Sequence, residues 1–117
     1  MLNLSIAICT YNGEDRLGNV LGSLQKQVVS DHITYEILVI DNNSSDATAK
    51  IVAHYIENWH SRHLLRYVFE PRQGVAFARQ CAIEEAQSQL IGFLDDDNLP
   101  QKDWVMEACS FAENHFQ

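Results

Sequence analysis

Four short apolar runs alternate with four stretches in which apolar residues recur at helical spacing, and that rhythm constrains the fold class more than any other feature of the chain. Residues 4–9 (LSIAIC) are mostly apolar, with isoleucine at two positions, the profile of a strand buried on both faces. Thr10, Tyr11, Asn12 and Gly13 end it with turn chemistry. Leu17, Val20, Leu21 and Leu24 then share one face of a helix predicted over residues 14–27. Gly18 and Gly22 lie one turn apart on it, where glycine costs about 1 kcal/mol relative to alanine, so they imply close packing on a sheet. Residues 35–41 (YEILVID) are the clearest strand. The turn NNSSD follows, with Ser44 or Ser45 placed to cap a helix running towards Trp59. Residues 64–69 read as a third strand, and Gly74 opens a helix whose Ala78, Ala82 and Ala86 suit tight packing. Residues 90–94 form a fourth strand. Pro100 marks the start of a last helix, with Trp104, Ala108 and Phe111 on its buried side.

Strand and helix alternate without a repeat, a low-complexity tract or a linker. The prediction is one domain over residues 1–117, a three-layer α/β/α, Rossmann-like unit with a mainly parallel sheet. Right-handed crossovers put the carboxyl ends of all its strands on one rim, and ligands bind there, where the strand order reverses. Eight basic against 16 acidic residues give a net charge of −8, which disfavours nucleic acid or an anionic membrane as partner. Cys9, Cys81 and Cys109 fall in apolar patterns without metal-type spacing and read as reduced core thiols of a cytosolic protein. No apolar run approaches the roughly 18 residues of a membrane span, and no basic segment precedes an apolar run at Met1, so a soluble cytoplasmic product is expected. His32, His54, His60, His63 and His115 show no ligand spacing and receive no role; His60 and His63 fall in what reads as a solvated connection.

Three polar clusters fall at predicted strand ends: Thr10-Tyr11-Asn12, Asp41-Asn42-Asn43 and Asp95-Asp96-Asp97. An aromatic ring beside a hydroxyl and an amide can stack on and hydrogen-bond a planar base. A single carboxylate can accept from a base N–H or a sugar hydroxyl. Three consecutive carboxylates repel one another, and oxygen-only ligands select a hard cation such as Mg²⁺ or Mn²⁺. Alternation along an extended run sends Asp95 and Asp97 to one side and Asp96 to the other, which makes Asp95 and Asp97 the expected metal-facing pair.

The segments SIAICTYN (residues 5–12), EILVIDNNSSD (36–46), GVAFAR (74–79) and FLDDDN (93–98) together resemble the family-two glycosyltransferases, inverting enzymes of the GT-A fold that use nucleotide sugars. The resemblance runs over essentially the whole chain, with departures at Cys9, Gln80 and Ala82. It implies that Thr10, Tyr11 and Asn12 line the base and ribose and that Asp41 hydrogen-bonds the base, commonly uracil. It implies that Gly74 and Arg79 approach the sugar nucleotide, Arg79 on the diphosphate side. Asp95 and Asp97 match a DxD-type signature, the first on ribose or metal and the last on metal, with Asp96 counted on the nucleotide side. The implied cofactor is Mn²⁺ or Mg²⁺ and the implied donor a nucleotide-diphosphate sugar, most commonly a UDP-sugar.

An inverting transfer also needs a general base for the acceptor hydroxyl, and the resemblance places that base downstream of the acidic triplet. The chain is therefore expected to supply the donor-binding half of an enzyme whose full-length form acts on a saccharide or lipid-linked acceptor, as a piece of a longer protein or a short natural product. Exposed sheet edge and apolar surface would then favour a homo-oligomer. A non-catalytic nucleotide-binding or assembly module on the same fold is the alternative. A phosphoacceptor signalling domain would want an acidic pair after the first strand and a lysine after a late one. Here Thr-Tyr-Asn follows the first strand, and Lys102 is the first lysine after the fourth.

Overall fold

A computed structural model describes residues 2–115. Met1, residues 116–117 and the side chains of Asn114 and His115 lie outside the described residues. The elements run β1 (Leu4–Thr10), α1 (Leu17–Gln25), β2 (Tyr35–Asp41), α2 (Thr48–Glu57), β3 (Leu64–Phe69), α3 (Val75–Glu85), β4 (Ile91–Asp95) and α4 (Trp104–His115). The four strands form one parallel sheet in the order β3-β2-β1-β4.

The central strands β1 and β2 carry apolar residues on both faces because helices cover both. Leu4, Ile6, Ile8, Ile37 and Val39 meet Leu17, Val20, Leu21 and Leu24 of α1, Val52 of α2 and Val105 of α4 in the larger core. Ala7, Leu38 and Ile40 meet Ala78, Cys81 and Ala82 of α3 in the smaller one. The small side chains of α3 let that helix lie close to the sheet. Two crossovers on one face followed by one on the other reverse the strand order between β1 and β4. The switch-point crevice therefore opens between the carboxyl ends of those two strands.

Several local expectations are corrected. Residues 14–16 form a turn before α1, with Arg16 and Leu17 N–H donating to the Gly13 carbonyl. Gly18 packs against α2 rather than the sheet: Tyr55 donates its hydroxyl to the Gly18 carbonyl at 3.1 Å, and a β-carbon there would stand 3.2 Å from that oxygen. Gly22 faces open space, and nothing in the structure explains it. The carboxylate that receives the Thr48 N–H at the start of α2 is Asp46, not Ser44 or Ser45. β4 begins and ends one residue later than predicted, and α4 starts four residues beyond Pro100 with Val105 as its buried centre. Phe111 is 55% exposed. His63 is no solvated linker residue: it is buried, stacked on Tyr35 at 3.8 Å, and its Nδ1 accepts the Tyr35 N–H. All three cysteines are free thiols, Cys81 buried and Cys9 and Cys109 half-buried.

Candidate donor-binding site at the sheet rim

Strand register fixes what meets at the rim. Thr10 pairs with Asp41 across β1 and β2, and Cys9 pairs with Asp95 across β1 and β4. The three polar clusters read from the sequence are therefore neighbours at the carboxyl ends of adjacent strands, on both sides of the switch point. A small cleft of about 90 Å³ opens beside the end of β1, on its β2 and α3 side, between Cys9, Thr10, Tyr11, Asn42, Val75 and Ala78.

The rim loops are tied to one another. Asn12 holds a left-handed backbone (φ 49°), and its Oδ1 accepts the N–H groups of Ser45 and Asp46 while its own N–H donates to Ser44 Oγ at 2.8 Å. Gly13 N–H donates to Thr48 Oγ1 at 2.9 Å. Thr10 is buried with its hydroxyl donating to Asp96 at 2.7 Å. Of the Thr-Tyr-Asn cluster, then, Tyr11 alone keeps its side chain open, 47% exposed, and Thr10 and Asn12 act as internal anchors.

Asp41 is 1% exposed. One carboxylate oxygen accepts the Ser44 N–H at 3.0 Å and the other the Tyr67 hydroxyl at 2.5 Å. Burial, together with this bond to Asp41, pushes the Tyr67 hydroxyl to a higher pKa than an exposed tyrosine, so it stays a donor. As found, Asp41 anchors the end of β2; a contact with a base requires that carboxylate to be uncovered. Asn42 was given no role from sequence, yet it braces the loop to α3: its amide donates to the Glu70 and Arg72 carbonyls, and its Oδ1 accepts the Gly74 N–H at 2.9 Å. Gly74 itself has φ 139°, a conformation open to glycine, and starts an α3 that lacks a side-chain cap. The orphan amides of that first turn lie beside the cleft, a setting that favours an anion.

The acidic triplet is not an extended run. β4 ends at Asp95, and residues 96–97 form a turn closed by Asn98 N–H donating to the Asp95 carbonyl at 3.1 Å. The alternation expected of an extended run therefore does not apply, and Asp96 is held in a fork with Arg16. Arg16 Nε and Nη2 each reach one of its oxygens at 3.0 Å, and this partner raises the Arg16 pKa. Nothing local in the sequence joins positions 16 and 96; the only signal available was that three adjacent carboxylates need compensation. Asp95 and Asp97 are exposed, and their carboxylates have no hydrogen-bond partner among the described residues. No three His, Cys, Asp or Glu side chains among the described residues converge into a closed cage. Two unpartnered carboxylates fit a hard cation that takes the rest of its shell from phosphate and water. Arg79 stands on α3 with its guanidinium 4.8 Å from the ring centre of Phe93, two residues before Asp95 on the same strand. Burial lifts the Cys9 thiol to about 11 against the opposing charge of Arg79, so it is no nucleophile at neutral pH.

The fold and sequence have close parallels among known proteins. The chain is 28% identical over 107 residues to glycosyltransferase AglE of Haloferax volcanii, covering 92% of this chain and 34% of that protein. It superposes on the structure of Staphylococcus aureus TarS residues 1–349 in complex with UDP with a TM-score of 0.81 and 28% identity, covering 98% of this chain and 33% of that one. The fold is shared with the mannosyltransferase PcManGT of Pyrobaculum calidifontis, solved with GDP-Man and Mn²⁺, at a TM-score of 0.79 and 24% identity over 93% of this chain and 31% of that one. The chain thus spans about a third of the length of these proteins. The model of glycosyl transferase family 2 matches residues 5–116, and the chain belongs to that family.

Proposed function

We propose that this chain binds the nucleotide-diphosphate sugar of a glycosyl transfer, with Asp95 and Asp97 as the residues that would hold a divalent cation. The observation that carries the reading is the switch point itself: exposed Tyr11 on one side, the unpartnered Asp95 and Asp97 on the other, and the uncapped α3 beside them. Similarity to a TarS structure that holds UDP-GlcNAc, at 28% identity, supports UDP as the nucleotide.

In this reading Tyr11 stacks on the base, and Asp41 takes a base N–H once uncovered. The amides of the first α3 turn and the Arg79 guanidinium face the diphosphate. Thr10, Asn12, Gly74 and Asp96 hold these groups in place through the bonds described above. Mg²⁺ or Mn²⁺ bound there supplies electrostatic stabilisation of the leaving nucleoside diphosphate. No rim carboxylate is assigned as the general base of an inverting transfer, so donor binding is the part given to these residues. The sugar is passed to a saccharide or lipid-linked hydroxyl in the complete enzyme.

Calorimetric titration of UDP into the purified chain, with and without Mn²⁺, tests the reading. Binding is expected with the metal, and is expected to fall at least tenfold without it or in Asp97→Ala, the loss of about one charge-assisted ligand interaction. UDP binding indifferent to both metal and Asp97 overturns the cation assignment; no binding by a folded sample overturns the donor-site reading.

A further inference from the structure

Arg16, in the turn before α1, is the hub of the rim. Its guanidinium forks onto both oxygens of Asp96, and Nη2 also donates to the carbonyls of Tyr11 and Asn12 at 3.1 and 3.3 Å. One side chain thus joins the β1–α1 loop to the acidic turn after β4, across the crevice where the strand order reverses. Gly13 points independently to the same docking. A β-carbon at Gly13 would stand 2.1 Å from Thr10 Oγ1 and 3.1 Å from Asp96 Oδ2, so the loop carries glycine where the Asp96 carboxylate seats. Asn12 lies in the strained left-handed region while its carbonyl is held by Arg16.

We infer that Arg16 is a positioning residue for the donor site: it withdraws Asp96 from the acidic triplet and locks Tyr11 and the Asp95–Asp97 pair into one rigid unit. The inference rests on the donor-site reading above. Without Arg16 the turn carries a third uncompensated carboxylate, and the spacing between the base platform and the cation side is no longer fixed. These two consequences act in opposite directions. The added negative charge strengthens attraction for a free cation, whereas lost pre-organisation weakens capture of a ligand that must meet both sides at once. A purely structural role would instead weaken both, in step with stability.

The test compares wild type, Arg16→Gln, Asp96→Asn and the double variant. Mn²⁺ alone is titrated by the loss of its free-ion electron paramagnetic resonance signal, and UDP by calorimetry at saturating Mn²⁺. In Arg16→Gln the affinity for UDP is expected to fall about fivefold, the scale of a part-exposed forked ion pair. The affinity for Mn²⁺ alone is expected to rise about twofold, a screened unit charge a few ångströms away. In the double variant the rise in Mn²⁺ affinity is expected to vanish, because it needs the Asp96 charge. A wild type that binds UDP with Mn²⁺ beside an Arg16→Gln variant with both affinities unchanged, or both reduced in proportion, overturns the inference and leaves the donor-site reading intact. A folded wild type that binds no UDP overturns both.

Discussion

Glu36 is the most demanding residue in the chain, and its removal has a cost that can be worked out atom by atom. It sits on β2 with 0% exposure, facing the α3 side of the sheet at the end opposite the rim. Oε2 accepts the Ser5 hydroxyl at 2.6 Å and the Gln87 N–H at 2.7 Å, and Oε1 accepts Arg66 Nε at 3.1 Å. The carboxylate therefore ties β1, β3 and the connection from α3 to β4 to the central strand. Among the described residues no buried side-chain nitrogen or oxygen lacks a partner, so Glu36→Ala creates the first orphans.

Arg66 is not stranded by that change. It keeps the Glu85 carbonyl at 2.7 Å and the Glu85 carboxylate at 3.5 Å, and it is partly exposed. The full 3–5 kcal/mol typical of a broken buried ion pair is thus reduced. What remains is the Ser5 hydroxyl and the Gln87 amide, at about 1–2 kcal/mol each, or about 3 kcal/mol together. Glu36→Gln keeps one acceptor oxygen but turns an NH₂ group towards a donor, for about 2 kcal/mol. In urea, with a slope of about 1.5 kcal/mol/M, the alanine variant moves the midpoint down by about 2 M at unchanged slope. In a Ser5→Ala background, Glu36→Ala costs correspondingly less, since one orphan is already gone. Losses below about 1 kcal/mol for both variants would refute the reasoning, because they would mean that the bonded carboxylate contributes no more than a surface pair.

Two further expectations concern pH and the rim. His63 has its pKa held below the usual 6.5 by burial and by the neighbouring Arg62 charge, and its Nδ1 accepts from Tyr35 only while unprotonated. The unfolded chain therefore takes up the proton first as pH falls, so stability drops below about pH 6.5 until the folded value is reached, and is flat above that window. Thermal melts between pH 7.5 and 5.5 should show this slope, and His63→Phe should flatten it even if its melting temperature is lower throughout; an unchanged slope contradicts the assignment. At the rim, Gly13→Ala forces the Thr10 hydroxyl off Asp96, for a loss of about 1–2 kcal/mol. Because the clash is with that hydroxyl, Gly13→Ala should cost little in a Thr10→Ala background, and urea unfolding of the four proteins decides it.

Much of this architecture was legible because the strands that matter most are the buried ones. YEILVID and LSIAIC carry apolar side chains on both faces, a pattern that survives without knowledge of neighbours, and the Ala78 and Ala82 face of α3 announces close packing. What failed were inferences from one periodic stripe where two elements share the decision. On α4 the buried stripe runs through Val105, with Trp104, Ala108 and Cys109 beside it, so the helix is rotated and Phe111 turns outwards. Gly18 answers to Tyr55 on another helix, 37 residues away. His63 looked solvated because its stacking partner, Tyr35, is 28 positions distant in sequence. The same limit applied to the site. The placing of the three polar clusters at strand ends could be read from sequence, but the pairing of Arg16 with Asp96 spans 80 residues and belongs to the fold alone.

That pairing also changes what the acidic triplet means. Three adjacent carboxylates in a chain of net charge −8 would repel one another and the diphosphate they are proposed to meet. The turn after Asp95 separates them, and Arg16 with Thr10 neutralises and binds the middle one. Two carboxylates are left open, a number that suits a cation shared with a diphosphate better than a cation held by protein alone. The loops carrying the opposite wall are fixed by Asn12, Ser44 and Thr48 at the same time. Loops already held in this way have less conformational freedom to lose when the ligand arrives. The strained asparagines at positions 12 and 43, with φ 49° and 65°, are a cost of that arrangement, located where pre-organisation has a use.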